Sequence, residues 1–189
     1  MRGAPKPHTL ARLTVHHSAQ LAPDIKGAPG RIRGFQAYHQ SKGFPDIAYH
    51  YVVDRGGNVY EGRDEGTVGS TFTNYDPTGH FLALLDGNFE AQQPTKEQLD
   101  GLAKLLAWAS QRHGLPVDTL SGHRDHAATA CPGKYVYASV KDGSIRRAVQ
   151  DVLARGPVEL VRLSDAEGAE RVRAIVGAPA RSVPAPKGP

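Results

Sequence analysis

Residues 122–133 read GHRDHAATACPG and carry the only cysteine of the chain, Cys131, eight residues after His123 and five after His126. A lone cysteine forms no disulfide within its own chain. It is then either a small buried apolar residue, the common role of a free thiol, or a group with chemistry of its own. Thiolate sulfur and neutral imidazole nitrogen are preferred zinc donors, and a catalytic zinc centre takes three protein ligands and leaves one position open. His123 and Cys131 converge if the small-residue stretch between them loops back. A third ligand must come from elsewhere, and the pair His16–His17 at the end of RLTVHHS is the natural supply. By spacing alone the pattern is weak: it matches no zinc finger, and nine histidines generate accidental pairs.

The elements that must position these groups can be read from periodicity. In RLTVHHS, Leu13 and Val15 alternate with polar neighbours and predict a strand ending in histidines. RIRGFQAYHQSKG predicts a short helix stopped by Gly43, and AYHYVV and NVYEGR flank Arg55-Gly56-Gly57 as a hairpin. FLALLD is a continuous apolar run of strand length, which predicts a central strand covered on both faces. Thr95 with Gln98 forms a capping-box signal for a helix whose apolar face is Leu99, Leu102, Leu106 and Ala109 and whose stop is Gly114. TLSGHRD reads as a short strand, and Ser144 as the cap of a helix bearing Ile145, Val149, Val152 and Leu153. Strands alternating with amphipathic helices give an α/β domain ending near Leu153. Beyond it, PVELVRL reads as a strand, SDAEGAERVRAIVG as a helix capped by Ser164 and Glu167, and the Pro-rich end as disordered.

Composition bounds the function class. At 189 residues the chain suits one domain with an appendage, and its 22% charged and 39% hydrophobic content is that of a globular protein. No apolar run approaches the roughly 20 residues of a membrane span, and the N-terminus lacks the apolar core of a secretory signal. The net charge of +4 is spread along the chain without a basic run, so no nucleic-acid partner is expected.

Read together, VHHSA, DIAYHYVVDRGGNVYEGRDEGTVGS, GNF before a PT-initiated helix, and GHRDHAATACPG occur in an order that resembles the zinc-dependent N-acetylmuramoyl-L-alanine amidases, the family of phage lysozyme-type amidases and peptidoglycan recognition proteins. The resemblance spans roughly residues 10–153. It implies a mixed central β-sheet flanked by α-helices, a single amidase domain over 10–155, with extensions at 1–9 and 156–189. It also implies a Zn2+ cofactor on His16, His123 and Cys131, with Tyr49 as catalytic tyrosine. The position two before the cysteine carries a second catalytic side chain in the family, and here it is Thr129. His17 and His126 are expected to support these residues or lie at the surface.

The implied reaction is hydrolysis of the amide between N-acetylmuramic acid and L-alanine, with peptidoglycan as partner and a monomeric protein. The implied site of action is the cell wall, reached as a phage endolysin released through a host pore or by export with a signal absent from this sequence. A recycling branch of the family has a glutamate on the strand matching FLALLD and an aspartate for the cysteine; this chain has Leu84 and Cys131, like the phage and recognition-protein branch. Thr71 stands where histidine is frequent, and PTGHFLAL replaces an Asn-Ser-Ile-Gly-Ile stretch. The alternatives are a recognition module that binds peptidoglycan without cutting it, and a regulatory binder of another protein.

Overall fold

A computed structural model describes residues 4–178. Five strands form one sheet in the order β3-β2-β4-β1-β5: β1 (Arg12–His17), β2 (Tyr51–Val53), β3 (Val59–Glu61), β4 (His80–Leu85) and β5 (Ser121–Gly122). β4 runs parallel to β1 and β2, β5 runs parallel to β1, and only the β2–β3 hairpin is antiparallel. The sheet is therefore mixed and β4 is central, as its continuous apolar run predicts; all six of its residues are buried.

Strand alternation divides the side chains between two faces. Leu13, Val15, Phe81, Ala83 and Leu85 enter the larger core with α2 (Lys96–His113), α3 (Lys134–Lys141) and α4 (Ser144–Ala154). Val52 and Leu84 face the other way, against Ile32 and Phe35 of α1 (Ala28–Ser41). Thr14 and His16, one residue out of phase with Leu13 and Val15, belong to that second face.

Local signals account for both ends of α2. Thr95 accepts from the Gln98 amide and Gly114 closes α2 in the left-handed conformation at φ 65°, a cap worth about 1 kcal/mol. Only half of the expected box forms, because the Gln98 side chain donates instead to the carbonyls of Val53 and Asp86, tying α2 to the sheet. Ser144 is not the cap of α4: that position is Gly143, while the Ser144 hydroxyl donates to Ser139 O and its amide to Asp142 Oδ1. The expected strand PVELVRL does not form. Residues 158–161 line a surface cleft together with Trp108, Gln111 and Arg112 of α2, and the Gln111 side chain pairs with both the amide and the carbonyl of Val158. A helix surface offers no backbone ladder, so the segment forms no strand.

The last helix, α5 (Asp165–Gly177), has the reciprocal Ser164–Glu167 box and buries Ile175. Residues 179–189, read as disordered from sequence, lie outside the described residues. At the other end, Pro7 bridges Thr67, and the Val68 amide donates to Lys6 O, so residues 6–8 run against the loop after the hairpin. No helix among the described residues is long and apolar enough to cross a membrane.

Candidate metal centre

His16, the penultimate residue of β1, is fully buried on the sheet face that carries α1. The parity of the strand separates it from His17: His16 points toward the loops after β5, whereas the His17 ring goes to the opposite side, against Phe89, where its Nδ1 accepts from the Phe89 amide. The two adjacent histidines thus have different roles because they lie one residue apart on a period-2 element.

The second and third donors come from the segment after β5. His123 opens a single 3-10 turn, and the chain then loops back so that Cys131 meets β1. Several contacts hold this loop. The Arg124 amide donates to Cys131 O at 3.0 Å, and its guanidinium binds Glu90 and the Ala130 carbonyl and lies over the Tyr137 ring. Asp125 accepts from the Gly122 amide and from the Tyr137 hydroxyl. Gly133 turns at φ 85°, where a Cβ would collide with the Phe89 backbone.

His16, His123 and Cys131 are all buried, and one ligand atom from each lies within 4.8 Å of the others. His16 Nδ1 is 3.6 Å from Cys131 Sγ. Tetrahedral zinc with Zn–N near 2.0–2.1 Å and Zn–S near 2.3 Å sets neighbouring N and S donors about 3.5 Å apart. The spacing and the donor chemistry therefore fit zinc. His16 Nε2 is buried with no hydrogen-bond partner among the described residues, whereas His123 Nε2 meets Thr73 Oγ1 at 2.8 Å.

Burial also prepares the protonation states. Desolvation holds His16 well below the usual imidazole range, reinforced by His123, His80 and other neighbouring histidines, and lowers His123 to about 4. Both rings are neutral at pH 7, as ligands must be. Burial pushes the Cys131 thiol up to about 12, opposed by the His17 amide, which donates to its sulfur at 3.4 Å.

Tyr49 lies just before β2 rather than within it, with its ring 5.1 Å from that of His16 and edge-on to His39. Burial, then Cys131 and Tyr75, push its pKa up, so the phenol keeps its proton. Thr129 sits in the loop between His123 and Cys131, and its hydroxyl accepts from the Cys131 amide at 3.2 Å. His126 lies further out, bonded to Ser121 Oγ at 2.9 Å.

The expected residues are therefore assembled in one place. Sequence reasoning missed Thr73 and Tyr75, which come from the 69–79 loop; Tyr75 packs its ring 5.2 Å from that of His123. A threonine or tyrosine in a Gly/Asn/Asp-rich stretch carries no periodicity, so nothing in the sequence marked them.

A sequence profile of the family described as N-acetylmuramoyl-L-alanine amidase matches residues 6–134. The human N-acetylmuramoyl-L-alanine amidase is 36% identical over 144 residues, which cover 72% of this chain and 25% of that protein, so the chain spans about a quarter of that relative's length. Among solved structures, the Drosophila peptidoglycan recognition protein SD matches with a TM-score of 0.68 and 34% identity over 74% of this chain and 85% of that one. Peptidoglycan recognition protein LE, in complex with tracheal cytotoxin (monomeric diaminopimelic acid-type peptidoglycan), matches with a TM-score of 0.66 and 28% identity over 74% and 85%.

Proposed function

The chain belongs to the N-acetylmuramoyl-L-alanine amidase family, and from that membership and its assembled donors we propose that it hydrolyses the amide joining N-acetylmuramic acid to the first L-alanine of peptidoglycan, with zinc on His16, His123 and Cys131. The observation that carries the reading is the convergence of three buried donors of zinc-binding type from two distant segments. Zinc bound there supplies Lewis acidity toward the scissile carbonyl and a nucleophile at neutral pH.

The protein's own residues complete the chemistry. The two neutral imidazoles present lone pairs without prior loss of a proton. Tyr49, held protonated beside His16, donates its phenolic hydrogen bond to the oxygen that gains charge as the carbonyl is attacked, a type of contact whose loss costs about 3 kcal/mol of barrier. Thr129 uses one hydroxyl lone pair to hold the Cys131 amide and keeps its proton to donate toward the same substrate. Turnover of a muramyl peptide that is abolished by a chelator and restored by added zinc is the expected result.

A second reading has its own support, because the solved relatives include proteins named for peptidoglycan recognition. A pure recognition module would bind the muramyl peptide and leave the amide intact. Binding without turnover by the zinc-loaded protein would replace the first reading with the second.

A further inference from the structure

Resting on the metal centre proposed above, we infer that Thr73 and Thr71 form a hydroxyl relay that fixes the tautomer of His123 and presents its Nδ1 to the metal. Three contacts define the relay: His123 Nε2 to Thr73 Oγ1 at 2.8 Å, Thr73 Oγ1 to Thr71 Oγ1 at 3.3 Å, and Thr71 Oγ1 to Thr73 O at 3.3 Å.

The direction of the chain follows from its end. A carbonyl oxygen only accepts, so Thr71 must donate to it. Thr71 then offers a lone pair, and the Thr73 proton goes there. Thr73 has no proton left for the imidazole, so its oxygen accepts from His123 Nε2–H. A neutral imidazole carries one proton, which leaves the Nδ1 lone pair free for a ligand. A histidine binds a metal as the neutral imidazole. The Tyr75 ring on one side further restricts rotation of the imidazole.

The two β1-side and loop-side imidazoles are thus arranged alike. His16 Nδ1 faces the Cys131 sulfur at 3.6 Å, and the relay turns His123 Nδ1 to the same task. An outer hydrogen bond of this kind orients a ligand histidine and typically contributes 10- to 100-fold in metal affinity. Thr73 is a positioning residue by this account: it acts through His123.

The test uses Thr73→Val, which keeps the shape and removes the hydroxyl, beside Thr73→Ser and Thr71→Val in the 189-residue chain. Zinc affinity is measured by chelator competition and the His123 tautomer by imidazole 15N NMR on both zinc-free and zinc-loaded protein. Expected are a zinc affinity roughly 10- to 100-fold weaker in Thr73→Val, near wild type in Thr73→Ser and intermediate in Thr71→Val. The zinc-free wild type should already show the Nε2–H tautomer, and Thr73→Val a mixture of the two. An Nδ1–H tautomer in the zinc-free wild type, or unchanged zinc affinity in a folded Thr73→Val, overturns the inference. Because neither readout involves hydrolysis, a wild type that shows the relay and binds zinc yet cuts nothing would overturn the proposed reaction alone.

Discussion

Zinc loading of this centre should release one proton per ion across the neutral range, and that proton should come from Cys131. The histidine ligands contribute none: His123 is lowered to about 4 and His16 lies well below its usual value, so both are neutral from about pH 6 upward. Cys131, pushed up to about 12 by burial, keeps its proton until a metal displaces it. Each unit of rising pH then favours the metal-bound form by about tenfold, or roughly a thousandfold between about pH 6 and 9, without flattening. A thiol at its ordinary value near 8.5 would flatten the curve above that value. Substituting Cys131→Asp supplies a donor already ionised in this range, so the slope should fall close to zero. Competition with a chelator of known proton affinity gives the slope, and calorimetry in buffers of different ionisation enthalpy counts the protons directly. A wild-type slope near zero, or an undiminished slope in Cys131→Asp, would refute the assignment of the thiol as the protonated ligand.

The same geometry predicts other outcomes. His16→Ala should abolish stoichiometric zinc binding, whereas His17→Ala should keep it and lose about 1–3 kcal/mol of stability with the bond to the Phe89 amide; equal zinc loss in both, measured by metal analysis, would contradict the parity argument. Tyr49→Phe should retain zinc and substrate affinity and lower kcat by roughly a hundredfold, read by steady-state kinetics. Deletion of residues 157–189 should leave turnover of soluble muropeptides within about a few-fold while lowering the melting temperature, because Val158 and Leu160 pack against the core; loss of turnover in a folded truncation would tie the tail to the reaction. Burial lowers His17, His39, His50 and His80 to about 4. The unfolded chain therefore binds more protons below about pH 6.5, and stability of the zinc-free protein should fall as pH drops from there toward 4. Denaturant midpoints that stay level over this interval would oppose that reading.

What the sequence revealed depended on the kind of signal each residue carries. His16 was distinguishable from His17 by family position, and strand alternation supplies the physical reason. β4 and α2 were legible because a continuous apolar run and a capped amphipathic period are strong local patterns. PVELVRL also has a strand's pattern, yet pairing is a tertiary property, and the surface it meets is a helix that has only a side chain, Gln111, to offer its backbone. Ser144 has the right residue type for a cap, but the preceding Gly143 adopts the left-handed conformation and takes the position. Thr73 was invisible because a hydroxyl in an irregular loop gains meaning only when folding brings it to His123, fifty residues away.

The central claim is a zinc-dependent cut at one particular amide, and mass spectrometry of what the zinc-loaded protein releases from purified cell wall tests it most directly. With metal analysis on the same sample finding one zinc per chain, the account predicts stem peptides bearing a free N-terminal L-alanine and glycan strands left whole, with both release and zinc lost in Cys131→Ser. Release of sugar fragments or of peptides cut within the stem, or no release at all from protein that holds its zinc, would contradict it.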